Sequence, residues 1–231
     1  MPPLALETRR GFIARSAGVA VTGALALTLP GCAAYRQASL ADAIQRLLTR
    51  SSQDAFARLL APDGFLDAGL GREDLGELLG PQRSAALATI LRAPQVRQRL
   101  DQTLNTVAAD AAQTAAPQIA DAVRLIGIDN ARDLVNGAPS SATAALRAAM
   151  GRRLLDIMVP QVSQGLRIIE DPVIGPALSQ LAGINLQNVT ALLAGRIEET
   201  IWAEIGRQEA MIRANPAATG DRLLQEIFGA S

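Results

Sequence analysis

LQNVTALLAGRIEETIWAEIGRQEAMIRA, residues 186–214, decides the fold. Leu186, Val189, Leu193, Ile197, Ile201, Ile205 and Ile212 fall three, four or seven apart, which places them on one face of a helix. No proline interrupts the run. Asn215-Pro216 then offers an N-cap and a proline at the first position of a closing helix, which carries Leu223, Leu224, Ile227 and Phe228. Within the long helix, Glu209 and Arg213 are spaced i,i+4 and read as an exposed pair worth roughly a few tenths of a kcal/mol. Trp202, next to Ile201, is expected at the border of the core.

The same periodicity continues upstream. Ser140 or Ser141 opens a long helix whose face is Leu146, Met150, Leu154, Ile157/Met158, Val162, Leu166 and Ile169. Pro160 lies inside it and should kink or split it. Glu170-Asp171-Pro172 reads as a helix-to-turn junction, with a short helix after it to Ala182. Asp129 is placed to cap a short helix that Asn136-Gly137 ends through a left-handed stop. A helix from Pro94 to Thr114 precedes another from Pro117 to Ile126. Further upstream, Ser39 caps a helix to Leu60 through Leu40, Ile44, Leu47/Leu48, Ala55 and Leu59, and Pro62-Asp63-Gly64 ends it. The glycines between Gly64 and Pro94 allow only short helices. No strand-turn-strand pattern is present.

Composition agrees with this pattern. The 231 residues include 44 alanines, the best helix former, while aromatics make up 3%. A 49% hydrophobic share supports a packed core, and 19% charge is too low for a disordered chain. The expectation is an all-α chain, a single helical domain of roughly seven to nine helices with no sheet.

The residue alphabet excludes whole classes of chemistry. All 22 basic residues are arginine, against 22 acids, and there is no histidine and one cysteine. Histidine-dependent nucleophile systems, His-Cys zinc sites, lysine Schiff bases and internal disulfides are ruled out. Scattered arginines at zero net charge give no footprint for nucleic acid. No cofactor and no metal is expected, since no Asp-rich calcium loop is present.

The first 31 residues read as a cleavable export signal. Thr8-Arg9-Arg10-Gly11-Phe12-Ile13 resembles the twin-arginine motif. The apolar stretch Ser16–Leu29 is too short to span a bilayer, which takes about 20 residues, but suits a signal core. Leu29-Pro30-Gly31-Cys32 resembles a bacterial lipobox, with Cys32 as the acylated residue. Cleavage at Ala33-Ala34 by the general signal peptidase is the alternative. The expected organisation is a signal over 1–31, a lipid-anchored linker over 32–38 and a helical domain over 39–231. Losing Arg9, Arg10, Arg15 and Glu7 leaves 19 arginines against 21 acids. Ala33, following the cysteine, resembles the arrangement that sends lipoproteins to the outer membrane.

The closing string Glu209-Ala-Met-Ile212-Arg213-Ala-Asn215-Pro216-Ala217-Ala218-Thr219, followed by Leu223-Leu224 and Ile227-Phe228-Gly229, resembles a bacterial envelope family, domain of unknown function 4197. Asp63-Gly64-Phe65-Leu66 resembles its first loop. Asn105 with Ala108-Ala109, Pro117 and Asp121-Ala122 resembles its middle helices. Asp129 to Asn136-Gly137 resembles its short capped helix. The resemblance covers Ser39 to Gly229 and departs from the family pattern over Gly71 to Pro94. It implies a helical, exported, often lipid-anchored domain, and it carries over no catalytic residues.

Two functional readings follow. In the first, the chain is an uncharacterised envelope lipoprotein, a non-catalytic helical module that binds a protein partner or apolar ligand. Its membrane contact is the lipid at Cys32, and Phe65, Trp202 and Phe228 rim a groove. In the second, it is a carboxylate-dependent hydrolase of cell-wall glycan. The candidate acids are Glu198-Glu199, Glu170-Asp171, Glu73-Asp74 and Asp129/Asp133, each more simply read as solvated helix surface. Arg152-Arg153 are expected in a salt bridge, with an anionic lipid or phosphate as the alternative. A plain structural spacer is the third possibility.

Overall fold

A computed structural model describes residues 30–70, 93–166 and 186–229. Eight α-helices and no strand occur among them. They are α1 (Pro30–Leu59), α2 (Gly64–Asp67), α3 (Pro94–Leu125), α4 (Ala131–Val135), α5 (Ser141–Met150), α6 (Arg153–Gly165), α7 (Leu186–Ala214) and α8 (Arg222–Phe228). A 3₁₀ turn at Pro216–Thr219 joins the last two.

α7 is the axis. It packs on α1, α6, α5 and α3, and Leu193, Ile197, Ile201 and Ile205 are buried as their spacing requires. α1 contributes Ala43, Ile44, Leu47, Leu48, Ala55 and Leu59 to the same core. α3 contributes Leu100, Leu104, Val107, Ile119 and Val123, with four alanines, Ala108, Ala111, Ala112 and Ala115, fully buried between them. These small side chains let helices approach closely. Each buried leucine or isoleucine removed from water contributes about 2 kcal/mol.

Several helix boundaries differ from the periodicity reading. α1 begins at Pro30, so Ser39 is interior rather than a cap, and the backbone of residues 32–38 is helical. Ala33, Ala34, Arg36, Gln37 and Ala38 all favour helix, and Pro30 suits a first turn. α3 runs unbroken through Pro117. Pro117 is exposed, so the carbonyl that loses its partner faces water. Pro160 likewise lies inside α6 without splitting it. The break falls at Gly151 instead, where φ is 55° and ψ is −127°, a conformation that side chains with a Cβ avoid.

Asn130, not Asp129, is the N-cap position of α4, and its side chain makes no capping bond. Asn136 and Gly137 are not left-handed. Gly137 is there for space, because a Cβ would lie 2.8 Å from Ser141 Oγ and 2.9 Å from Asp133 O. Asn215 makes no capping bond either. Asp221 caps α8, accepting from the amides of Leu223 at 2.9 Å and Leu224 at 3.3 Å. The expected segments over 71–92 and 167–182, with Glu73-Asp74, Ile169 and Glu170-Asp171, lie outside the described residues, as do residues 1–29.

Candidate functional site

The carboxy-terminal half of α7 carries acids in register with its apolar stripe. Glu209 is four residues past Ile205 and three before Ile212, so helical geometry drives it inward. It is 0% exposed. Its carboxylate accepts from Ala142 N at 3.1 Å, Thr143 N at 2.7 Å and Thr143 Oγ1 at 2.6 Å. These amides are orphan donors of the first turn of α5. Glu209 therefore caps α5 from another helix, where the positive helix end favours an anion.

Arg213 completes the arrangement. Its Nε and Nη2 meet Glu209 Oε1 at 2.8 Å. Nη1 donates to Val135 O at 3.0 Å and Nη2 to Leu134 O at 2.9 Å, the carbonyls that end α4. Its Cζ sits 4.7 Å from the centre of the Phe228 ring. The Arg213 side chain is 10% exposed. The pair expected at the surface is instead a buried clasp that ties α4, α5, α7 and α8 together. The i,i+4 spacing is the same in both settings; the register with Ile205 and Ile212 was the signal that separates them.

Glu204 is the second buried acid of α7. Gln208 Nε2 donates to its Oε1 at 2.7 Å. Arg207 closes on Oε2 at 2.7 Å as an ion pair, without hydrogen-bond alignment. Arg58 of α1 reaches Oε1 at 3.5 Å. Both arginines cover the carboxylate from the solvent side, and both buried acids already have arginine partners.

A groove of about 460 Å³ runs between α5 and α7 beside these acids. Thr143, Arg147, Glu199, Trp202, Gly206 and Arg207 are among its lining residues. A Cβ on Gly206 would lie 3.2 Å from Ser140 Cβ, so glycine there lets the start of α5 settle onto α7. Arg147 is exposed and forms no ion pair with a described residue.

The three residues expected at a groove rim are not brought together. Phe65 is fully buried, and its amide donates to Asn105 Oδ1 at 3.2 Å. Phe228 is buried beneath Arg213. Trp202 alone lines the groove; it is 3% exposed, a core residue with Nε1 donating to Glu198 at 3.3 Å. Glu199 lies 3.6 Å from Arg196, while Asp129 and Asp133 are exposed. Arg152 and Arg153, expected in a salt bridge, make none with a described residue.

Gly31 and Cys32 lie in the first turn of α1 by their backbone. Arg9, Arg10, Phe12 and Leu29 lie outside the described residues. No metal-holding cluster occurs among the described residues, and no helix there is long and apolar enough to cross a membrane.

The family described as Protein of unknown function (DUF4197) matches residues 34–229. The chain belongs to this family. The match takes in the clasp, since Glu209, Arg213 and Phe228 all lie in the closing string that carries the resemblance. No curated protein and no solved structure matches the chain.

Proposed function

We propose that the chain is a lipid-anchored, non-catalytic helical module of the bacterial envelope that holds a partner protein or an apolar ligand in the groove beside Trp202. The observation that carries this reading is the groove itself. It has a volume of about 460 Å³ and sets Ala144, Ala203 and the edge of Trp202 against Arg147, Glu199 and Arg207. Apolar surface with polar groups placed around it is what orients a ligand in a binding site. The buried acids beside it, Glu204 and Glu209, are engaged by arginines and amides, which supports binding over acid–base chemistry. The export-signal pattern ending at Cys32 supports the location.

The test is site-directed photo-crosslinking in cells, with the reactive group at Arg147 or Ala203. A discrete adduct, or a lipid that co-purifies and is lost in Arg147→Glu, is the expected result. Neither adduct nor lipid from either position contradicts the reading.

A further inference from the structure

Leu125, the last residue of α3, is 83% exposed. Ile126 beside it, with Met150 and Arg153 from the α5–α6 turn, shares a second groove of about 380 Å³. Arg152 and Arg153 are exposed, with no described ion-pair partner. Asp121, the carboxylate in this groove, already holds Arg124 at 3.1 Å. The tip of α3 thus presents Leu125 beside Arg153, with Arg152 next to it in sequence, two guanidinium groups without an ion-pair partner among the described residues; Asp156 stands in the same turn of α6.

Helix directions place this tip. The Phe65–Asn105 bond sets the middle of α3 beside the carboxy-terminal end of α1. α4, which follows α3, packs back on α1. α3 therefore returns along α1, and the stretch from Asn105 to Leu125 is about 30 Å of helix. The Leu125 tip lies toward the amino-terminal end of α1, whose first turn contains Cys32.

We propose that this end of the bundle docks on an anionic phospholipid surface, with Leu125 entering the interface and Arg152 and Arg153 meeting lipid phosphates. An apolar tip beside cations is the chemistry that binds such a surface, and charge complementarity distinguishes it from a neutral apolar partner. The inference rests on the envelope reading for its setting, but not on acylation of Cys32.

The experiment uses the processed chain, residues 32–231, carrying Cys32→Ser, which removes both the lipid tether and the basic, apolar signal stretch. Sedimentation is measured with vesicles of phosphatidylcholine alone and of phosphatidylcholine with one-fifth phosphatidylglycerol. The expected result is an excess on the anionic vesicles. That excess falls about tenfold or more in Arg152→Glu/Arg153→Glu, since each arginine near such a surface contributes roughly fivefold. It also falls in Leu125→Asp. Leu192→Asp, a half-exposed control elsewhere on the surface, keeps it. The altered side chains are exposed, and unchanged circular dichroism confirms the fold. No anionic excess, or an excess that the patch variants retain, overturns the proposal. Palmitate labelling of the unaltered chain reads the anchor separately, so failure of one is distinguishable from failure of the other.

Discussion

Glu209 caps the first turn of α5 from α7, its carboxylate 2.7 Å from Thr143 N and 2.6 Å from Thr143 Oγ1. Arg213 balances that charge and carries the other side of the contact to the carbonyls of Leu134 and Val135. One ion pair thereby fixes the start of one helix and the end of another. Removing one member of a buried pair leaves its partner uncompensated, at a cost of about 3–5 kcal/mol. We predict that Glu209→Ala and Arg213→Ala each lower unfolding stability by about 3 kcal/mol or more. The double variant should lose less than the sum. Urea unfolding measures this, and strict additivity would contradict the clasp.

Asp221 caps α8 and also bridges to Arg46 Nη1 at 3.1 Å. Burial pushes its carboxyl up, but the hydrogen bonds from Arg46, Leu224 N and Leu223 N outweigh this and hold it below the usual carboxylate value. Hydrogen bonding to Asp221, with the charge of Asp42, raises the Arg46 guanidinium in turn. A depressed folded pKa means stability present above the unfolded value of about 3.9 and lost as pH falls through the folded one. Asp221→Asn keeps a capping oxygen and loses only the charge facing exposed Arg46, so it should cost about 0.5 kcal/mol at pH 7, with the gap to the parent chain narrowing below pH 4. Thermal unfolding across pH 2.5–7 checks this; a gap independent of pH would count against it.

Gly151 separates α5 from α6 at φ 55°. Nothing lies within 4 Å of a Cβ built there, so any cost of Gly151→Ala comes from backbone strain alone. The expected loss is about 1 kcal/mol or more. By contrast, Pro160→Ala should be neutral or stabilising, because Pro160 is exposed inside a continuous helix. The opposite order in chemical unfolding would show that the break belongs at Pro160.

Much of this fold was legible in the spacing of apolar residues. Leu193, Ile197, Ile201 and Ile205, and Leu146, Leu154, Met158 and Val162, are buried as their period requires. The prolines misled, because whether Pro117 and Pro160 break a helix depends on which side faces water, and that is set by packing. Glu209 misled for a related reason. An acid four residues from an arginine looks the same at the surface or in the core until its register with the apolar stripe is followed. Residue type alone suggests a rim for Phe65 and Phe228, whereas the loop at Asp63 and the close of α8 turn both inward.

Arg147 is exposed at the α5–α7 groove, so its replacement should alter binding and not folding. Arg147→Glu is expected to keep stability within about 0.5 kcal/mol of the parent while weakening any crosslink formed from Ala203. Loss of the crosslink together with loss of stability would assign Arg147 to the fold instead.

Lipid attachment at Cys32 underlies the envelope role proposed for this chain. Labelling cells with radioactive palmitate and immunoprecipitating the chain tests this directly. Label is expected on a processed chain in the membrane fraction, and none on Cys32→Ser. Full-length, unlabelled chain in the cytosol would contradict it.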